Sequence, residues 1–120
     1  APGVNPRPIE CDVSRDEWIQ FASPIWLDIL ESDTLNYEVA RENGDERHIC
    51  PLQLETVRRC VRLWSNPGDV ILSPFMGIGT EGHIAMEQGR RFVGIELKES
   101  YFNQAEKNIR AAVKQESLFV

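Results

Sequence analysis

The run Asp69-Val-Ile-Leu-Ser-Pro-Phe-Met-Gly-Ile-Gly-Thr80 constrains this chain more than any other. A short apolar stretch, Val70 to Leu72, breaks into a Gly-x-Gly turn and then into a helix-favouring segment, Thr80 to Gln88, closed by Gly89 as its C-terminal cap. Next, Phe92-Val-Gly-Ile-Glu-Leu97 reads as a second strand with an acid, Glu96, near its carboxyl end. Strand, glycine turn, helix and acid-tipped strand form a layout that holds a nucleoside. The glycines let the backbone approach a ligand closely, and the carboxylate can accept hydrogen bonds from both ribose hydroxyls. A Gly-x-Gly alone would serve equally as a plain strand-to-helix turn. The acid on the next strand weighs against that reading. So does Pro74-Phe75, which sets an aromatic beside the turn where a flat base could pack.

The flanking sequence extends this unit. Residues 1–10 hold three of the seven prolines and read as an extended arm. Ser14-Arg-Asp-Glu17 is a capping box opening a short helix to about Ala22, broken by Ser23-Pro24. Ile25 to Leu30 is a short apolar segment of open type, and residues 31–47 are a polar loop with a turn signal at Asn43-Gly44. Pro51 suits the first turn of a helix, in which Leu54, Val57, Val61 and Trp64 recur at helical spacing. Asn66-Pro-Gly-Asp69 ends that helix. Arg91 to Leu97 is the second strand, and Glu99 to about Lys114 a helix with Tyr101, Ala105 and Ile109 on one face.

The expected architecture is α/β: helix, strand, helix, strand, helix, the two strands parallel and joined by a right-handed crossover. Parallel sheets are normally covered on both faces and extended by neighbours. Two strands therefore make a partial Rossmann-like fold, a short parallel sheet flanked by helices and incomplete without further strands. Residues 1–47 form an arm, short helix and loop, and residues 48–120 the α/β region.

Composition narrows the partners. Nineteen acids against 13 bases give a net charge of -6, the wrong sign for a free-standing nucleic-acid binder. The bases are 10 arginines and 3 lysines. Clusters at Arg58, Arg59 and Arg62 and at Arg90 and Arg91 read mainly as solvated helix and turn faces. Cys11, Cys50 and Cys60 contain no CxxC pair and leave an odd thiol, which argues for a reducing compartment and against structural zinc. No stretch is long and apolar enough to span a membrane, and the N-terminus lacks a signal-peptide pattern. The expected location is the cytoplasm.

At this point the residues resemble a family. Ser73-Pro-Phe-Met-Gly-Ile-Gly-Thr80 is similar to the Asp-Pro-Phe-x-Gly-x-Gly-Thr motif of S-adenosylmethionine-dependent DNA methyltransferases that modify exocyclic amines of adenine or cytosine. His48-Ile-Cys-Pro-Leu-Gln-Leu54 resembles the segment preceding that motif in members with permuted motif order, and Gly94-Ile-Glu-Leu-Lys-Glu-Ser-Tyr101 resembles their acid-bearing strand and following helix. The likeness is closest to phage and prophage enzymes, and includes Trp26-Leu-Asp-Ile29 and Thr34-Leu-Asn36 more weakly. It implies S-adenosyl-L-methionine as cofactor and DNA as substrate, as in restriction-modification systems.

The resemblance also implies roles. Pro74 and Phe75 line the adenine or methionine side, Gly77 and Gly79 let the backbone pass beneath the cofactor, Glu96 holds the ribose hydroxyls, and Lys98 borders the adenine. His48 and the helix start at Pro51 close over the methionine moiety, although His48 could equally cap a turn. Thr80 could reach the methionine end or serve only as helix N-cap, the latter being favoured. His83 reads as a surface or packing residue.

Two positions depart from the pattern. Ser73 stands where the family has an acid that commonly pairs with the methionine ammonium, and a neutral hydroxyl makes a bond about half as strong. The catalytic tetrapeptide (Asp, Asn or Ser, then Pro-Pro and an aromatic) is missing. Ser23-Pro-Ile-Trp26 comes nearest, with Ile for the second Pro, and Trp26 reads instead as a packing anchor. No catalytic residue and no metal site is assigned. The expectation is the C-terminal cofactor-binding part of a DNA amino-methyltransferase, truncated or a fragment, inactive alone and completed by a missing N-terminal half. The alternative is a noncatalytic assembly module, for example a homo-oligomer, pairing through its incomplete sheet.

Overall fold

A computed structural model describes residues 12–40 and 50–117. The proline-rich arm, Cys11, the Asn43-Gly44 turn, His48 and the apolar residues 118–120 lie outside the described residues.

The first helix, α1 (Arg15–Phe21), starts where the capping box predicts: Ser14 Oγ accepts the Glu17 N–H, and the Glu17 carboxylate accepts the Ser14 N–H at 2.9 Å. Residues 22–37 follow as irregular chain and turns, then a single 3₁₀ turn, Glu38–Ala40.

The second helix, α2 (Leu54–Trp64), begins three residues after Pro51, so the proline precedes the helix rather than occupying its first turn. The cap comes from far along the chain. Asp33 accepts the Leu54 N–H on its carbonyl at 2.7 Å and the Glu55 N–H on its carboxylate at 3.2 Å. These are two of the orphan donors every helix start must satisfy. Leu54, Val57 and Val61 turn inward to pack with Ile84 and Ile71. Trp64, at the same helical spacing, is 75% exposed.

Strand β1 (Val70–Ser73) leads through the glycine bend into α3 (Thr80–Glu87), which returns to strand β2 (Arg91–Gly94). The strands are parallel, with Val70 opposite Arg91 and Ser73 opposite Gly94. The second strand ends at Gly94 rather than Leu97. Once β1 breaks at Pro74, residues 95–97 have no strand beside them among the described residues, and of their backbone groups only those of Ile95 still bond across, to Ser73 and Met76. Gly89 follows α3 with φ +70°, the left-handed conformation of a helix-terminating glycine. The final helix, α4 (Glu99–Ser117), packs on α3 through the wholly buried Ala105.

Among the described residues, the helices cover one face of the sheet only. Ile71 and Phe92 point into the layer formed with α3. Val70, Leu72 and Val93 alternate to the other side and are 49%, 62% and 52% exposed. Such a bare apolar face is unusual for a parallel pair.

Two arginines expected on solvated faces are buried. Arg59 is 2% exposed. Its guanidinium forks onto Asp28 at 2.6 and 3.0 Å, bonds Glu55 at 2.9 Å, and lies over the rings of Phe21 and Trp26. Arg90 is 3% exposed, held by Asp12 and by the Ser65 and Gln88 carbonyls. Both tie the segment before residue 40, or its neighbouring turns, to the α/β unit. The planar, multiply bonded guanidinium tolerates such burial where an ammonium does not.

Candidate functional site

The site grows from the bend between β1 and α3. Gly77 and Gly79 hold φ of +53° and +84°, a region that side-chain-bearing residues rarely adopt. Gly79 is required twice over, because a Cβ there would sit 2.9 Å from the Ala105 Cβ. At Gly77 a Cβ would meet nothing within 4 Å. The missing side chain therefore leaves open space beside the bend, while Gly79 is pressed against α4. That helix also holds the bend in shape: Asn108 Nδ2 donates to the Ile78 carbonyl at 2.8 Å, and Gln104 braces Asn108 at 3.0 Å.

Glu96 faces the bend. One carboxylate oxygen accepts the Gly77 N–H at 2.9 Å and the other accepts the Lys98 N–H at 2.8 Å. Each oxygen keeps a further lone pair for a ligand hydroxyl. The Lys98 ammonium stands 4.5 Å from the centre of the Tyr101 ring.

Beside the bend lies a hollow of about 150 Å³ lined by Tyr37, Pro51, Phe75, Gly77, Thr80 and Tyr101, among others. A second hollow of about 540 Å³, walled by Leu30, Glu31, Ser32 and Thr34, shares Tyr37, Cys50 and Pro51 with it. The 30–37 segment and the entry to α2 thus form one wall of a groove whose floor is the glycine bend. Pro51, Phe75, Gly77 and Thr80 come together here. Phe75 is 86% exposed and stands at the rim. Pro74 and Lys98 lie outside the hollow's lining, as does Glu96, which meets it through Gly77. Gly79 is the buried hinge beneath. His48 is not among the described residues.

Thr80 is not the helix cap. Gly79 occupies the N-cap position, and Thr80 is the first residue of α3, 3% exposed and part of the hollow's lining. The left-handed glycine already turns the chain into the helix, so no side-chain cap is used.

Sequence reasoning missed Glu81. Its carboxylate takes a long hydrogen bond, 3.4 Å, from the hydroxyl of the buried Ser73, and it lines the hollow. The available signal was an acid one residue past the Gly-x-Gly-Thr motif in a chain whose strand lacks its acid. Trp26 is half-buried, donates its indole N–H to the Phe21 carbonyl at 3.0 Å and lies under Arg59. His83 Nδ1 lies 2.9 Å from the Asn108 carbonyl oxygen. Among the described residues no cluster of three or more His, Cys, Asp or Glu is arranged for a metal, Cys50 and Cys60 are free thiols, and no helix is long and apolar enough to cross a membrane.

A parallel pair bridged by a glycine bend, with a strand-end carboxylate bonded to that bend, defines a Rossmann-like unit of the methyltransferase kind. A family model described as DNA methylase (N6_N4_Mtase) matches residues 12–107, and the chain belongs to that family. It is 41% identical over 58 residues to the type II methyltransferase M1.MboII of Moraxella bovis, covering 48% of this chain and 22% of that protein. It is 33% identical over 98 residues to the type II methyltransferase M.BglI of Bacillus subtilis, covering 81% of this chain and 25% of that one. Among solved structures it resembles TTHA0409 of Thermus thermophilus, described as a putative DNA modification methylase complexed with S-adenosyl-L-methionine. That match has a TM-score of 0.68 at 29% identity, over 93% of this chain and 41% of the other. The matched segments span about a quarter or less of the two type II relatives.

Proposed function

We propose that this chain is the S-adenosylmethionine-binding portion of a DNA methyltransferase acting on an exocyclic amine of adenine or cytosine. The observation that carries the reading is the Glu96 carboxylate, bonded to Gly77 N–H beside an open, glycine-floored groove. The fit is steric and chemical: space above Gly77 admits a sugar edge, and Glu96 retains acceptor capacity for its hydroxyls. Phe75 and Tyr101 offer flat apolar surface for a purine, and Pro51 and Thr80 bound the opposite end.

When bound, the cofactor would supply an electrophilic sulfonium methyl, which an amine nitrogen would take in line as the methyl–sulfur bond breaks, leaving a neutral thioether and releasing the amine's proton. This chain's residues seat and orient the donor, and positioning of that kind supplies much of such a rate. The groups that orient the amine belong to a tetrapeptide absent from these 120 residues, so the isolated chain binds the donor weakly and transfers no methyl group to DNA. Calorimetry with S-adenosylmethionine tests the assignment, with Glu96→Ala as control. Equal binding by the two proteins removes it.

One observation favours a second reading, a noncatalytic assembly module. The bare sheet face of Val70, Leu72 and Val93 and the open strand edges invite another polypeptide. Light scattering separates the readings: a monomer that binds the cofactor supports the enzyme portion, and a tight dimer without affinity supports the module.

A further inference from the structure

We infer that the acid missing from the end of β1 has been relocated to α3, and that Glu81 holds the cationic ammonium at the amino-acid end of the cofactor. The inference rests on the cofactor reading above and assigns a ligand contact within it. Position 73 carries a hydroxyl, buried at 6% exposure. Glu81 reaches back from the first turn of α3 and places a carboxylate oxygen 3.4 Å from that hydroxyl. Aspartate is only one atom longer than serine, so the Glu81 carboxylate occupies the neighbourhood where an acid on residue 73 would end. A carboxylate has been kept at this place by a different part of the backbone.

The electrostatics require something of the kind. The cofactor carries a sulfonium and an ammonium, and a partly buried cation needs an opposite charge or several acceptors. Of the described residues lining the hollow by the bend, Glu81 alone bears a carboxylate. The others are aromatic, aliphatic, thiol, thioether, hydroxyl or glycine. Thr80, adjacent in sequence, lines the same wall. Glu96 is already committed to Gly77 and Lys98 N–H groups at the strand end, which leaves Glu81 as the counter-charge at the other end. Glu31 lines the adjoining hollow and is the rival carboxylate.

The test is calorimetry with S-adenosylmethionine, with 5′-methylthioadenosine, which lacks both the amino acid and the sulfonium charge, and with S-adenosylhomocysteine, which keeps the ammonium on a neutral sulfur and so separates the two cations. Four proteins are compared: the parent chain, Glu81→Gln, Glu31→Gln and the double variant Ser73→Asp/Glu81→Gln. Glu81→Gln lowers affinity for S-adenosylmethionine and S-adenosylhomocysteine alike at least about tenfold, the size of one charge-assisted bond, and leaves methylthioadenosine binding unchanged. The double variant, with its acid returned to the strand, regains the lost affinity. Three results overturn the inference while leaving the cofactor reading intact: undiminished S-adenosylmethionine binding by Glu81→Gln, no recovery in the double variant, or a selective loss in Glu31→Gln instead. Failure of the parent chain to bind any of the three probes overturns both.

Discussion

Oε2 of Glu96 accepts the Gly77 N–H at 2.9 Å, so the acid at the end of one strand is fastened to the bend that follows the other. The same carboxylate turns its second oxygen to the Lys98 N–H. In the proposed function, a ribose edge arriving at the bend meets an acceptor already aimed and already held. Less ordering remains for the moment of binding, which is how preorganisation raises affinity.

Removing that carboxylate acts on ligand and loop together. Glu96→Ala leaves two backbone donors without their partner, at a cost of about 1–3 kcal/mol. It also loses at least about tenfold in affinity for S-adenosylmethionine, the size of a charge-assisted bond. Glu96→Gln keeps one acceptor and falls between. Urea denaturation and calorimetry on the same samples measure the two effects.

The two glycines of the bend respond differently. Gly79→Ala drives a methyl into Ala105, 2.9 Å from its Cβ, at a φ of +84°, and destabilises by more than about 2 kcal/mol. Gly77→Ala meets no neighbour within 4 Å and costs only the left-handed strain, about 1–2 kcal/mol. Its methyl instead fills the ligand side of the bend. The Gly77 variant stays folded and loses binding, while the Gly79 variant loses stability first. Thermal melts with and without cofactor distinguish them.

Arg59→Lys tests the clamp on the N-terminal segment. The guanidinium joins Asp28 and Glu55 and stacks on Phe21 and Trp26. An ammonium cannot fork onto Asp28 while bonding Glu55 in the same plane. Asp28 stays half-exposed, so its lost pairing is cushioned by water, and the expected loss is about 1–3 kcal/mol rather than the larger penalty of a sealed pair. Chemical denaturation followed by tryptophan fluorescence reports it.

The same pair sets an acid limit. Hydrogen bonds from Arg59, and then from Gln20, hold the Asp28 carboxyl below its ordinary 3.8, at about 2. The depressed folded value means its contribution to stability is fully present above the unfolded value and is lost as pH falls from about 4 to about 2. Asp28→Asn flattens that part of the stability curve. Parent and variant melts between pH 5 and pH 2 (roughly the span where paired carboxylates protonate) check the difference.

Much of the site was legible because its parts are local. The glycines, the helix after them and the acid on the next strand follow from short-range rules, and Ser14 and Glu17 cap α1 as their spacing predicts. What escaped was long-range. Asp33 caps α2 from 22 residues before Glu55, Asp28 pairs with Arg59 across 31, and Asp12 with Arg90 across 78. A charged residue in sequence looks solvated until its partner is known. Trp64 shows the converse: helical spacing marks an apolar face without saying whether anything covers it. Glu81 was hidden by its helix, where an acid in the first turn has a sufficient explanation in the dipole alone.

The central claim is that a nucleoside sits on the bend and is gripped by Glu96. Amide resonances from nitrogen-15-labelled chain, followed as S-adenosylmethionine is added, test it residue by residue. The account predicts that the Gly77 and Lys98 amides, both bonded to Glu96, shift together with those of Thr80 and Tyr101, and that Glu96→Ala abolishes the response. Saturable shifts clustered elsewhere, or none at these four positions, contradict it.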